Sequence, residues 1–204
     1  MNISEEIAGH IATAVRTLAT TASSHLGTDC IWHAMACQHL LAREGIDDAR
    51  LVAGYAAWRV DGHDPGAVVC HHVEGSAVAA GSGGFLFHAW VSCGNQVFDA
   101  TTYQFRGKLA ELDAADGGRT TVTWCPQFLL VDRKDCKPWR SVRDGVRAGL
   151  FCYEAIPTIV EQVTSHPDTQ LDAEGIALLE QVYERVKDGN KLVVIGPCGV
   201  AATE

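Results

Sequence analysis

The stretch Thr28-Asp29-Cys30-Ile31-Trp32-His33 carries a thiol where a helix should begin. Thr28 or Asp29 can cap that helix by accepting a bond from a free backbone N–H. Good helix formers follow as far as Glu44, and Gly45 supplies the stop. A thiol in the first turn sits at the positive pole of the helix dipole, beside unpaired N–H groups. Both favour the thiolate, the nucleophilic form. Such a nucleophile needs a proton acceptor and a third group to orient that acceptor. His88 and Asp99 are the candidates.

Their placement follows from a hairpin. Phe85 to Ser92 has strand composition, Gly94-Asn95 reads as a turn, and Gln96 to Ala100 as the returning strand. A two- or four-residue loop places Trp90 opposite Asp99. His88 then lies on the same face, one diagonal away. A three-residue loop without a bulge would put His88 and Asp99 on opposite faces. Asp99 also has a second reading, as a strand-end cap for the Thr101-Thr102 turn.

Other elements must hold this set. Ile3 to about Ala22 has apolar residues at helical spacing and reads as a first helix. On the second helix, Cys30, Ala34, Cys37 and Leu41 share one stripe, while His33 and His39 fall off it, at expected surface or groove positions. Of Gly45 to Val60, the first part reads as a turn and the second as a strand, Asp61 to Gly66 as a turn cluster and Ala67 to Val73 as a strand. Glu74 to Gly84 is Gly/Ala/Ser-rich and reads as a loop or bulged hairpin. Lys108 to Ala115 suggests a short helix, and Thr120–Trp124 and Gln127–Val131 short strands. Val142 to Ser165 is helical by pattern, with Pro157 as a start or kink. Leu171 to Lys187 is an amphipathic helix, followed by a short strand at Lys191–Ile195 and a loose tail. The expected architecture is α+β: N-terminal helices on an antiparallel sheet, with extra C-terminal helices. The 204 residues suit one domain, with a core at about 28–131 and a helical part at about 140–204.

Composition narrows the classes. The formal charge of -9 argues against nucleic acid as a main partner. No apolar run reaches the roughly 18 residues that would span a bilayer. The acidic Met1-Asn2-Ile3-Ser4-Glu5-Glu6 lacks the basic and apolar regions of a signal peptide, so a cytoplasmic location is expected. The chain has 8 cysteines and no CxxC spacing. Cys37, Cys93, Cys125, Cys136, Cys152 and Cys198 read as reduced, buried, small apolar residues.

Cys30, Ala34, Gly45-Ile46, Ala49-Arg50, Gly54-Tyr55, His88-Ala89-Trp90 and Asp99 together resemble the transglutaminase-like branch of the papain-like cysteine enzymes. The ordered set covers roughly Thr28 to Thr101. It departs from the pattern at Asp47-Asp48, where the family has a proline, and in the longer segment Asp61 to Gly84. The resemblance implies a papain-like fold and acyl transfer without a cofactor. Cys30 would attack a carbonyl carbon, His88 would shuttle protons and Asp99 would hold the imidazole. The Cys30 backbone N–H would be one oxyanion donor. Trp90, Trp32 and, more weakly, His25 would border the substrate, a peptide or small amide or thioester. Hydrolysis is expected ahead of crosslinking, because no amine acceptor site is defined.

Two rival classes remain. The same scaffold can serve as a non-enzymatic binding module. Cys70-His71-His72, with His63 or Cys93, could bind zinc. Adjacent strand residues point to opposite faces, which counts against joint chelation, so no metal site is expected.

Overall fold

A computed structural model describes residues 2–22, 29–64, 66–71, 87–165 and 171–203. Ser24, His25, Thr28, His72 and the expected loop Glu74–Gly84 lie outside the described residues. The order is α1 (Glu5–Ala22), α2 (Cys30–Arg43), β1 (Arg50–Arg59), β2 (Val68–Cys70), β3 (His88–Cys93), β4 (Gln96–Asp99), α3 (Phe105–Asp116), β5 (Leu129–Asp132), α4 (Trp139–Arg143), β6 (Leu150–Ala155), α5 (Pro157–Thr164), α6 (Ala173–Lys187), β7 (Val193–Gly196) and β8 (Gly199–Ala202). This is an α+β fold. No helix among the described residues is long and apolar enough to cross a membrane.

The C-terminal end of α2 follows from its sequence, whereas at the N-terminal end Asp29 holds the cap position but its side chain makes no capping hydrogen bond. The first intrahelical bond runs from the His33 N–H to the Asp29 carbonyl, so Cys30 occupies the first turn. At the other end Gly45 takes φ of 76°. Its N–H bonds the Ala42 carbonyl, and the Ile46 N–H bonds that of Leu41. That paired closure lets Gly45 turn the chain while Ile46 drops into the core. The buried face of α2, with Cys37, Leu40 and Leu41, packs against Val91, Cys93 and Phe98 of the sheet and against α1. Each fully buried leucine contributes roughly 1.5–3 kcal/mol.

β1 is the hub of an antiparallel sheet. Gly54 lies opposite both His88 of β3 and Ala155 of β6. Ala57 lies opposite both Cys70 of β2 and Cys152 of β6. Since a strand has two edges, β6 occupies one, and β2 and β3 follow each other along the other. β3 continues into β4, and β4 pairs with β5. The β3–β4 register sets Cys93 opposite Gln96 and Val91 opposite Phe98, with Gly94 at φ 53° in a two-residue turn. This is the register that puts His88 and Asp99 on one face.

Several expected elements differ. Val142–Ser165 is not a continuous helix: its middle is β6, which forms six pairs with β1. Its apolar positions satisfy a helical period, but β1 offers an unpaired edge and Leu150-Phe151-Cys152-Tyr153 fills it. Pro157 does start a helix. Thr120–Trp124 forms no strand, though the Thr123 and Trp124 N–H groups reach the Val60 carbonyl. The expected loose tail contains β8, paired with β7.

Gly54 is where β6 closes on β1. A Cβ there would stand 2.0 Å from the Glu154 carbonyl oxygen and 2.9 Å from the Ile156 nitrogen, both backbone atoms that cannot rotate away. Gly54→Ala should therefore force β6 outward and cost about 2–3 kcal/mol of stability, read as a lowered urea midpoint at unchanged slope. An unshifted midpoint would show that the sheet yields there.

Candidate active site

His88 ends the gap between β2 and β3, and Asp99 closes β4. His88 Nε2 donates to Asp99 Oδ2 at 2.9 Å, with both side chains buried. Three further donors converge on the carboxylate. The Thr101 N–H and hydroxyl donate to Oδ1 at 2.9 and 2.7 Å, and the Tyr153 hydroxyl donates to Oδ2 at 2.7 Å. Tyr153 in turn accepts the Trp58 indole N–H at 2.8 Å. One carboxylate oxygen thus accepts from Thr101 and the other from His88 and Tyr153.

These contacts set the charges. Burial would raise the Asp99 pKa, but the His88 charge and the converging donors hold it at about 2. Burial would lower that of His88, but Asp99 overrides this by charge and hydrogen bond, with a smaller share from the Cys30 thiol, and places it at about 9. His88 is thus an imidazolium at neutral pH. Its Nδ1 has no other hydrogen-bond partner among the described residues. Trp58 meets the imidazole edge to face, with ring centres 4.8 Å apart, and fixes its plane.

Cys30 is buried in a cluster with Ala53 and Ala89, yet it also lines a small cavity with Trp58, His71, His88, Gln104 and Lys108. The free space there is about 10 Å³, room for about one water. The helix start leaves the Cys30 N–H without an intrahelical acceptor. Asp29 accepts from Gln104 Nε2 at 3.2 Å, tying the α2 terminus to the turn before α3. A larger groove of about 450 Å³ runs past His10 and Arg16 of α1 and Lys191, and no cysteine lines it.

The structure thus brings Cys30, His88 and Asp99 together. Trp90 and Trp32 do not line the cavity. Trp90 is buried beneath His88 and against Tyr153, and Trp32 packs on the core shared by α1 and α2. His33 is buried rather than on a surface: its Nδ1 meets the Asp29 carbonyl and its Nε2 the Tyr103 hydroxyl, because the turn before α3 covers that face of α2. Cys70 and His71 point opposite ways, Cys70 to Val142 and Cys152, His71 to Lys108 and His88, so they cannot share a metal. The described residues contain no cluster fit for a metal ion. Cys37, Cys93 and Cys152 are buried as expected, whereas Cys125 and Cys136 are half-buried and Cys198 is exposed.

Four site residues escaped the sequence reading: Trp58, Tyr153, Gln104 and Lys108. Tyr153 was hidden by the helical period of its segment. The others sit on elements whose contacts with the thiol are tertiary and leave no local signal.

No protein-family model and no curated protein matches this chain. Among solved structures, the crystal structure of a genomics target, APC5867, is similar in fold, with a TM-score of 0.58 at 14% identity. The likeness covers 98% of this chain and 91% of that one. At that identity it speaks for the fold alone.

The ion pair makes stability depend on pH. His88 is raised from 6.5 to about 9, so its contribution is full below 6.5 and is lost as pH rises through about 9. Urea unfolding should show the advantage of wild type over His88→Gln shrinking by up to about 3 kcal/mol across that window. An advantage that stays constant or grows would mean that His88 is neutral in the fold. Tyr153→Phe removes one donor from Asp99 and strands the Trp58 N–H. It should cost about 2 kcal/mol by the same measurement, and a neutral result would place the Tyr153 hydroxyl outside the network.

Proposed function

We propose that the chain is a cysteine-dependent acyl-transfer enzyme on a papain-like, transglutaminase-like scaffold, acting first as a hydrolase of an amide, isopeptide or thioester bond. One observation carries this reading: the His88 imidazole gives one nitrogen to a buried carboxylate and leaves the other for a thiol at a helix N-terminus in the same cavity.

The reactive state is a Cys30 thiolate beside the His88 imidazolium. The sulfur attacks the carbonyl carbon and a C–S bond forms. The oxyanion is held by the Cys30 N–H. The tetrahedral adduct collapses, the bond to the leaving group breaks, and that group takes the Nδ1 proton of His88. The thioester acyl-enzyme is then attacked by water. Neutral His88 removes one water proton, the acid departs, and the thiolate–imidazolium pair is restored. Asp99 keeps the Nε2 proton in place through both halves.

Labelling with limiting iodoacetamide between about pH 5 and pH 9, located by peptide mass spectrometry, should find Cys30 ahead of the exposed Cys198 at the acid end. His88→Ala should erase that lead, and Cys30→Ala should lose both the label and any acyl adduct formed with an activated ester. An inert Cys30 would favour the binding-module reading.

A further inference from the structure

Lys108 is a half-buried cation held by a neutral ring. It stands on the buried side of α3 next to Leu109 and reaches into the cavity that Cys30 lines. Its ammonium lies 2.8 Å from His71 Nε2 and donates to it. His71 offers no negative charge. It is stacked on His88, with ring centres 5.4 Å apart, and set edge-on to Trp58. Burial first, then the neighbouring His88 and Lys108 charges, push its pKa down to about 3. Among the described residues no carboxylate forms an ion pair with Lys108. Asp29 is close enough to be felt, but it is engaged by Gln104 and by His33.

A half-buried cation held by a neutral ring is costly for a fold that could have used leucine there. It is useful only if something anionic comes to it. Among the described residues Cys30 and Asp29 are negative groups whose charge it feels, yet neither hydrogen-bonds to it, so the ammonium stays available to an anion that arrives with the substrate. We infer that Lys108, braced by His71, is the specificity-determining residue of this site and that the acyl donor carries a carboxylate close to the reacting carbonyl. This inference rests on Cys30 being the nucleophile. His71 holds the ammonium by one hydrogen bond and leaves its other N–H bonds for the incoming carboxylate.

A matched pair of alkylating probes tests this without knowledge of the substrate. Iodoacetate and iodoacetamide both deliver a two-carbon group as the thiolate displaces iodide, and they differ in one negative charge. The rate ratio of iodoacetate to iodoacetamide is measured at Cys30 and, as an internal reference, at the exposed Cys198 of the same molecule. The expected result is a ratio at Cys30 about tenfold or more above that at Cys198, since an unscreened cation beside the thiol attracts the anionic probe. Lys108→Gln, which keeps a donor for His71, should lower the Cys30 ratio severalfold while leaving iodoacetamide labelling in place, the His88 imidazolium accounting for what remains above the reference; a ratio unchanged in this variant overturns the inference. Lys108→Arg should preserve the high ratio. A Cys30 that reacts with iodoacetamide but shows the reference ratio in wild type overturns the carboxylate inference and leaves the nucleophile standing. Equal loss of both rates in Lys108→Gln also overturns it, because Lys108 would then serve the thiolate alone. A Cys30 inert to both probes overturns the nucleophile and this inference with it.

Discussion

The buried ion pair between His88 and Asp99 is the constraint on which the rest depends. Two charges taken out of water cost several kcal/mol each unless their remaining hydrogen-bonding capacity is met. Here Asp99 is met by four donors drawn from three places: β3, the turn after β4, and β6. The register of the β3–β4 hairpin and the docking of β6 are therefore coupled through one carboxylate. A one-residue slip of β6 on β1 would turn Tyr153 to the other face and leave Asp99 short of a partner. The sheet is held in register by its polar interior as well as by its apolar faces.

Two histidines at the site show how environment assigns roles to one residue type. They stack on each other, yet their pKa values are driven apart, to about 9 and about 3. One is held up against burial by the Asp99 carboxylate on its Nε2, and the other is pushed down by burial first and then by the His88 and Lys108 charges. The first holds its proton and the second is neutral.

Much of this arrangement was legible in the sequence because it is local. The Gly94-Asn95 turn sets the hairpin register and so the pairing of His88 with Asp99. Gly45 sets the far end of the helix that presents Cys30. What was not legible depends on contacts between segments far apart in the chain. Leu150 to Ala155 becomes a strand because β1 has an edge to fill, although its apolar spacing also fits a helix. His33 lies off the apolar stripe of α2 and is buried all the same, since Tyr103 covers it. Lys108 looks like an ordinary surface lysine on a short helix. Only the position of α3 over the end of α2 brings it to the thiol.

β2 and β3 lie in line along one edge of β1, so the sheet reads them as a single strand that the chain leaves after His71 and rejoins at His88. The number of residues spent between those points has no effect on the pairing of either part. Closing a longer excursion costs only about 0.6 kcal/mol for each doubling. In evolutionary terms this is an inexpensive place to vary. Descendants of one ancestral chain could gain or lose residues between those points while the hairpin that holds His88 to Asp99 is inherited unaltered.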